Sequence, residues 1–220
     1  MTAPNPPAAR RYGVDEESMS EWFVHHKREI GWAALAVVLM VGGFWFYERS
    51  RSIKGQRAET AYFQARQSMV SGNPAGAVTD LQRVVSRYEG TQAGAQAALT
   101  LAQAQYDQKK YKEGIEGLKK AEPKAPDNFK ASFAVLEAAG YEELKDFASA
   151  AEAFKRAAAA TRFPAEKTQY QAAAARDFAA AGKVPEAKAI WTDLAKEEGS
   201  PMAAEARVRL GELAATPMKI

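Results

Sequence analysis

The sequence predicts an all-α protein: one N-terminal helix long enough to cross a bilayer, followed by an α-solenoid of about four helix pairs and a capping helix. Three observations carry this. Ala supplies 47 of the 220 residues, against 15 Gly and 10 Pro, a balance that favours helices over the β-branched strands and frequent turns of a sandwich or barrel. The run IGWAALAVVLMVGGFWFY, residues 30–47, contains no charge, and at 1.5 Å per residue it spans roughly 27 Å. Beyond Gly55, Ala-rich amphipathic stretches alternate with short polar turns at a period of 36–37 residues, the mark of a stacked repeat array.

Length and charge narrow the reading further. A chain of 220 residues holds one domain plus attachments. With no cysteine, disulfides, thiolate metal sites, iron–sulfur clusters and cysteine nucleophiles are excluded. The net charge of +3 is spread along the chain, so no clustered basic face marks a nucleic-acid surface.

Residues 1–17 are rich in Pro and small residues without apolar periodicity, which predicts a flexible tail. Ser18-Met19-Ser20-Glu21 reads as a capping box, opening a juxtamembrane helix over 18–29. The apolar run then reads as a transmembrane helix over 30–47. Trp22, Phe23 and Trp32 lie toward one end of it, and Phe44, Trp45, Phe46 and Tyr47 at the other, as interfacial aromatic belts do. A cleaved signal would end in small residues, whereas this run ends in aromatics followed by Glu48-Arg49, so a retained anchor is expected. Gly42 and Gly43 allow close helix approach, although no G-x-x-x-G is present. Basic residues flank both sides of the span and leave its orientation open. A helical connector follows over 48–58. It either continues the helix to about Val70 or breaks near Gly55.

Four segments then align, with a small residue four positions before a large one: Ala77/Leu81, Gly114/Leu118, Ala150/Phe154 and Ala187/Trp191. Another Ala lies twelve residues upstream of each, at Ala65, Ala102, Ala138 and Ala175, and the series extends to Gly211. The small residue lets two antiparallel helices approach, and the large one fills the groove between units. These motifs resemble the tetratricopeptide repeat: Leu101-Ala102 with Tyr106, Gly114 with Leu118 and Pro126; Ala138 and Tyr141 with Ala150 and Phe154; Ala175 and Phe178 with Ala187 and Trp191. The resemblance implies a repeat domain over 59–215, with a short tail over 216–220. Because the period exceeds 34, inter-repeat turns such as Glu122 to Asn128 are expected to be long.

A search for catalytic constellations returns none. His25 and His26, the two histidines, are adjacent and point about 100° apart on a helix, so they do not form a paired ligand. Headgroup-level polar residues is one reading of them, and a pigment, haem or lipid-phosphate contact the other. Gly182-Lys183 lacks the rest of a phosphate loop, and Glu142-Glu143 and Glu197-Glu198 read as solvated pairs. A non-enzymatic protein without cofactor or metal is expected. What a repeat array offers is a concave surface lined by the first helix of each unit. By register its candidate partner-groove positions are Gln64, Ser68, Gln105, Tyr141 and Phe178, with Lys109 and Lys112 nearby. The aromatics have a second reading as inter-helix packing. The lysine-rich segment 109–120 reads either as a contact for acidic partners or headgroups or as a solvated face.

Taken whole, the W-F-x-x-x-K before one span, the aromatic exit, the long Ala/Gln-rich helix, the repeats and Gly182/Ala187/Trp191 are similar to the bacterial ancillary subunit of the Sec translocon. The resemblance implies a bacterial inner-membrane, single-pass protein with a cytoplasmic N-terminus and a periplasmic repeat domain. Its partners would be the lipid bilayer, the translocon and a membrane-anchored chaperone. The alternative is a structural accessory subunit of a bioenergetic inner-membrane complex, photosynthetic or respiratory, held by its span and tail.

Overall fold

The computed structural model describes residues 16–197 and 199–215, with the side chains of 16–25, 30 and 74 outside the described part. The expected tails, and the interfacial roles of Trp22 and Phe23, therefore lie outside it. The described secondary structure is helical: α1 (Glu16–Val70), α2 (Pro74–Arg87), α3 (Gln92–Asp107), α4 (Tyr111–Ala121), α5 (Lys130–Glu143), α6 (Phe147–Ala160), α7 (Pro164–Ala180), α8 (Val184–Lys196) and α9 (Ala203–Ala214), with 3-10 turns at Glu122–Lys124 and Asp127–Phe129. α1 contains Ser18 two residues past its start, so Ser18 is a helical residue and not the N-cap that the capping-box reading expects. α1 also runs unbroken through Gly55. One Gly costs only about 1 kcal/mol in a helix interior, which the neighbouring strong helix formers offset.

The chain divides into two compact units, Met1–Ser52 and Ile53–Ile220. In the first, every side chain from 31 to 50 is exposed. The aromatics Trp32, Phe44, Trp45, Phe46 and Tyr47 are each more than half exposed. A Cβ added at Gly42 or Gly43 would meet nothing within 4 Å. An 18-residue window of α1 reaches a mean hydropathy of 1.8 with 0% of it buried. By length and composition α1 is a candidate membrane span, a test that an N-terminal signal sequence also passes.

The second unit is a solenoid of four helix pairs: the end of α1 with α2, α3 with α4, α5 with α6, and α7 with α8, closed by α9. The predicted small positions Ala77, Gly114, Ala150 and Ala187 are all buried, as are Ala65, Ala102, Ala138 and Ala175. Gly211, fifth in the upstream series, is exposed on the terminal α9. Each large residue sits between the first helix of its own pair and that of the next. Leu81 shares a buried cluster with Ala65 and Leu101, Phe154 with Ala138 and Ala174, and Trp191 with Ala175 and Ala206. Burying such side chains is worth about 1.5–3 kcal/mol each, and Ala on the facing helix leaves the space for them.

The turn inside each pair is the same. Gly72, Lys109, Lys145 and Gly182 hold φ values of 79°, 61°, 60° and 75°, and the next residue donates its N–H back across the helix end. Asn73 bonds Ser68 O at 3.1 Å, Lys110 bonds Gln105 O at 2.8 Å, Asp146 bonds Tyr141 O at 2.9 Å, and Lys183 bonds Phe178 O at 2.8 Å. This left-handed C-terminal cap fixes the repeat register independently of side-chain type. The turns between pairs are not uniformly long. Residues 122–129 form an extended connection through two 3-10 turns, whereas residues 161–163 suffice between α6 and α7. There the longer period is taken up in the helices.

Candidate partner-binding site

The cap hydrogen bonds make Ser68, Gln105, Tyr141 and Phe178 equivalent positions in successive pairs. The sequence motif placed Tyr106 in that aromatic position, but the structure puts Gln105 there. Tyr106 stands one residue on and turns into the core, where its hydroxyl donates to Leu136 O at 3.0 Å. A Cβ at Gly114 would lie 2.3 Å from the Tyr106 ring, and one at Gly140 would lie 2.3 Å from its hydroxyl. That close approach explains why Gly114 stands where the other pairs have Ala77, Ala150 and Ala187. Burial first, then the charge of Glu137, drives the Tyr106 phenol well above its usual range.

The predicted groove residues do not converge on one site. Gln64 is exposed and lines a shallow depression of about 170 Å³ with Asp80, Arg83 and Arg87. Ser68 is half-buried, its hydroxyl 3.4 Å from Asp80 Oδ2. Lys109 and Lys112 are exposed at the turn into α4. Tyr141 is half-buried with the Lys119 ammonium 5.2 Å from its ring centre. Phe178 is buried, with Lys155 5.5 Å and Lys183 5.7 Å from its ring centre.

Gln105 lines a cavity of about 310 Å³ between α2, α3 and α4. Its floor is Ala95, Ala98, Leu101 and Ala102 of α3, and its walls are Val85 on α2 and Gly114 and Gly117 on α4. The rim carries Gln82, Glu89, Lys120 and Lys124. Glu89 accepts from Lys124 at 2.6 Å, and its backbone carbonyl accepts from Lys54 at 2.9 Å. That bond from Lys124 holds the Glu89 carboxyl below the usual carboxylate range. The volume is at the lower end of the ~300–1,000 Å³ typical of ligand pockets. The cavity faces the second helices of the pairs, and sequence reasoning missed it. Its signals are local: Gln105 where the next two units carry Tyr141 and Phe178, and Gly117 where the next unit carries Ala153.

Two buried carboxylates were also missed. Glu137 is fully buried in α5 and accepts from Arg156 at 2.5 Å. Burial raises its carboxyl against the opposing pull of Arg156. Asp177 in α7 is pushed up to about 7, by burial first and by the nearby Glu142 second, with Arg176 acting in the opposite direction. Arg176 itself makes a paired contact with Glu205 of α9, at 2.8 and 2.9 Å. Among the described residues, no group of three or more His, Asp or Glu is placed to hold a metal ion.

The helix pairs, their shared left-handed turns and the small/large packing define an α-solenoid of helical repeats. The chain belongs to the tetratricopeptide repeat-like domain family: that family's profile matches residues 20–137, more than half of the chain, and a second tetratricopeptide repeat profile matches residues 172–216. Such repeats form protein–protein interaction scaffolds and are generally non-enzymatic. Among solved structures, the Podosopora anserina putative kinesin light chain with nearly identical TPR-like repeats is similar at 18% identity, covering 72% of this chain and 86% of that one with a TM-score of 0.52. BtubC (BKLC) from P. vanneervenii is similar at 16% identity, covering 93% and 91% with a TM-score of 0.50. At these identities the likeness is one of fold. No curated protein sequence matches the chain.

Proposed function

We propose that this chain is a membrane-anchored, non-enzymatic scaffold that holds protein partners beside a bacterial inner membrane, with α1 as a single retained span and the repeats on the periplasmic side. The observation that carries the reading is the exposed apolar segment 31–47 in the same chain as an interaction-type repeat domain. Exposed apolar surface on this scale marks an interface or a bilayer, and the terminal aromatics Phe44–Tyr47 suit a headgroup boundary. The overall resemblance to the ancillary subunit of the Sec translocon supports the translocon and a membrane-anchored chaperone as partners.

Protease treatment of sealed inside-out membrane vesicles tests the topology. Protection of the repeat domain is expected, and cleavage of it would overturn the periplasmic placement. Purification in mild detergent then tests the partners. Substoichiometric translocon and chaperone are expected, whereas stoichiometric pigment-protein or respiratory subunits would replace this reading with that of a bioenergetic accessory subunit.

A further inference from the structure

We propose that the cavity between α2, α3 and α4 is a docking pocket for a partner segment that carries an aromatic ring beside a carboxylate; this rests on the reading of the repeats as a protein-interaction scaffold. The argument comes from what the next pair places at the same positions. There, Tyr141 occupies the position of Gln105, as the equivalent cap bonds to their carbonyls show. Its ring lies against Lys119, which holds the place of Gln82 immediately after the large inter-helix residue. Four residues before Tyr141, Glu137 sits where the cavity has Leu101, and Glu137 is paired with Arg156, the counterpart of Lys120. One pair further on, Lys155 and Phe178 repeat the contact between cation and ring.

At the positions of Tyr141 and Glu137 the α2/α3/α4 interval therefore carries neither a ring nor a carboxylate, and the carboxylate on its rim, Glu89, is bonded to Lys124 at 2.6 Å. In their place are an apolar space of about 310 Å³ with small residues on its floor and on the α4 wall, and Lys120, whose charge helps to lower the Glu89 carboxyl although, among the described residues, it makes no close ion pair as Lys124 does with Glu89. The walls cannot close the gap, because Gly114, Gly117, Ala98 and Ala102 have no side chains long enough to reach across it. Gln105, at 9% exposure, is held at the cavity edge. A ring entering from a partner would cover the Ala and Leu surface, and a carboxylate next to it would meet Lys120 as Glu137 meets Arg156. Charge-assisted contact at the rim adds selectivity to apolar burial on the floor.

The test uses the full chain in detergent, labelled with carbon-13 on its alanine methyl groups, and two capped pentapeptides, Gly-Glu-Phe-Glu-Gly and Gly-Lys-Phe-Lys-Gly. The acidic peptide is expected to shift the signals of Ala95, Ala98, Ala102 and Ala121 in a saturable way, and the basic one to bind at least tenfold more weakly. Gln105→Tyr, which supplies the ring from within, is expected to weaken the acidic peptide at least tenfold without lowering Tm. Lys120→Glu, a rim change that leaves the packing alone, is expected to reverse the preference between the two peptides. Absence of shifts at the four alanines, or equal binding by wild type and a folded Gln105→Tyr, would overturn the proposal, as would an unchanged preference in Lys120→Glu. If the pocket variants still copurify the wild-type partners from membranes, the scaffold reading stands and the pocket proposal falls. If the wild type copurifies no protein, it is the scaffold reading that falls.

Discussion

The ammonium of Lys119 lies 5.2 Å from the ring centre of Tyr141, and one repeat later Lys155 takes the same station 5.5 Å from Phe178. Lys119 is held above its ordinary range chiefly by a hydrogen bond to the Tyr141 hydroxyl. The contact thus joins the second helix of one pair to the first helix of the next. Each Lys→Ala change should cost about 0.5–1 kcal/mol, while Phe178→Ala, which empties a buried site, should cost about 3–5 kcal/mol. Urea unfolding of the single variants measures both, and equal costs would contradict the packing described.

Tyr106 dictates two glycines. Gly114→Ala and Gly140→Ala each drive a methyl into its ring or hydroxyl, so each should destabilise by about 1–3 kcal/mol. Tyr106→Phe removes the atom that opposes position 140 but leaves the ring that opposes position 114. It should therefore soften the Gly140→Ala penalty in part and leave the Gly114→Ala penalty unchanged, which a double-mutant cycle reads directly.

The four left-handed turns are filled by two glycines and two lysines. A non-Gly residue there carries roughly 1–2 kcal/mol of backbone strain. Lys109→Gly and Lys145→Gly should accordingly raise thermal stability slightly, and Gly72→Ala and Gly182→Ala should lower it by about 1 kcal/mol.

Asp177 gives the chain a pH signature. Its carboxyl titrates near 7 in the folded protein, raised from an ordinary 3.8 by burial and by Glu142. The folded state therefore keeps a proton that the unfolded chain loses between about pH 4 and 7, and this contribution to stability falls as pH rises through that window. Asp177→Asn should stabilise the protein at pH 8 by about 1–4 kcal/mol and make little difference at pH 4. A gain that is the same at both pH values would contradict the assignment.

The parts of the fold legible in the sequence are those set by local spacing. The Ala77/Leu81 and Ala187/Trp191 pairs lie where a helix repeat must pack, so pair count, register and cap follow from them. The cavity was not legible because it is a deficit summed over three helices, Gln105 on one and Gly114 and Gly117 on another, with no motif of its own. Tyr106 was misplaced by one residue because an aromatic near the expected position outweighed the turn geometry that fixes register. Glu137 and Asp177 look like surface charges in Ala-rich helices, and only the neighbouring pairs show that those faces are covered. On α1, Gly55 is a potential breaker in the sequence, yet the helix continues because one glycine's cost is small against the residues on either side.

Alkaline carbonate extraction of native membranes, followed by mild-detergent solubilisation and sizing of the full chain, tests the membrane-scaffold account most directly. The account predicts that the chain stays with the membrane pellet through the alkaline wash and leaves it in detergent as a complex with protein partners. Release by carbonate, or migration in detergent as a lone chain, would contradict it.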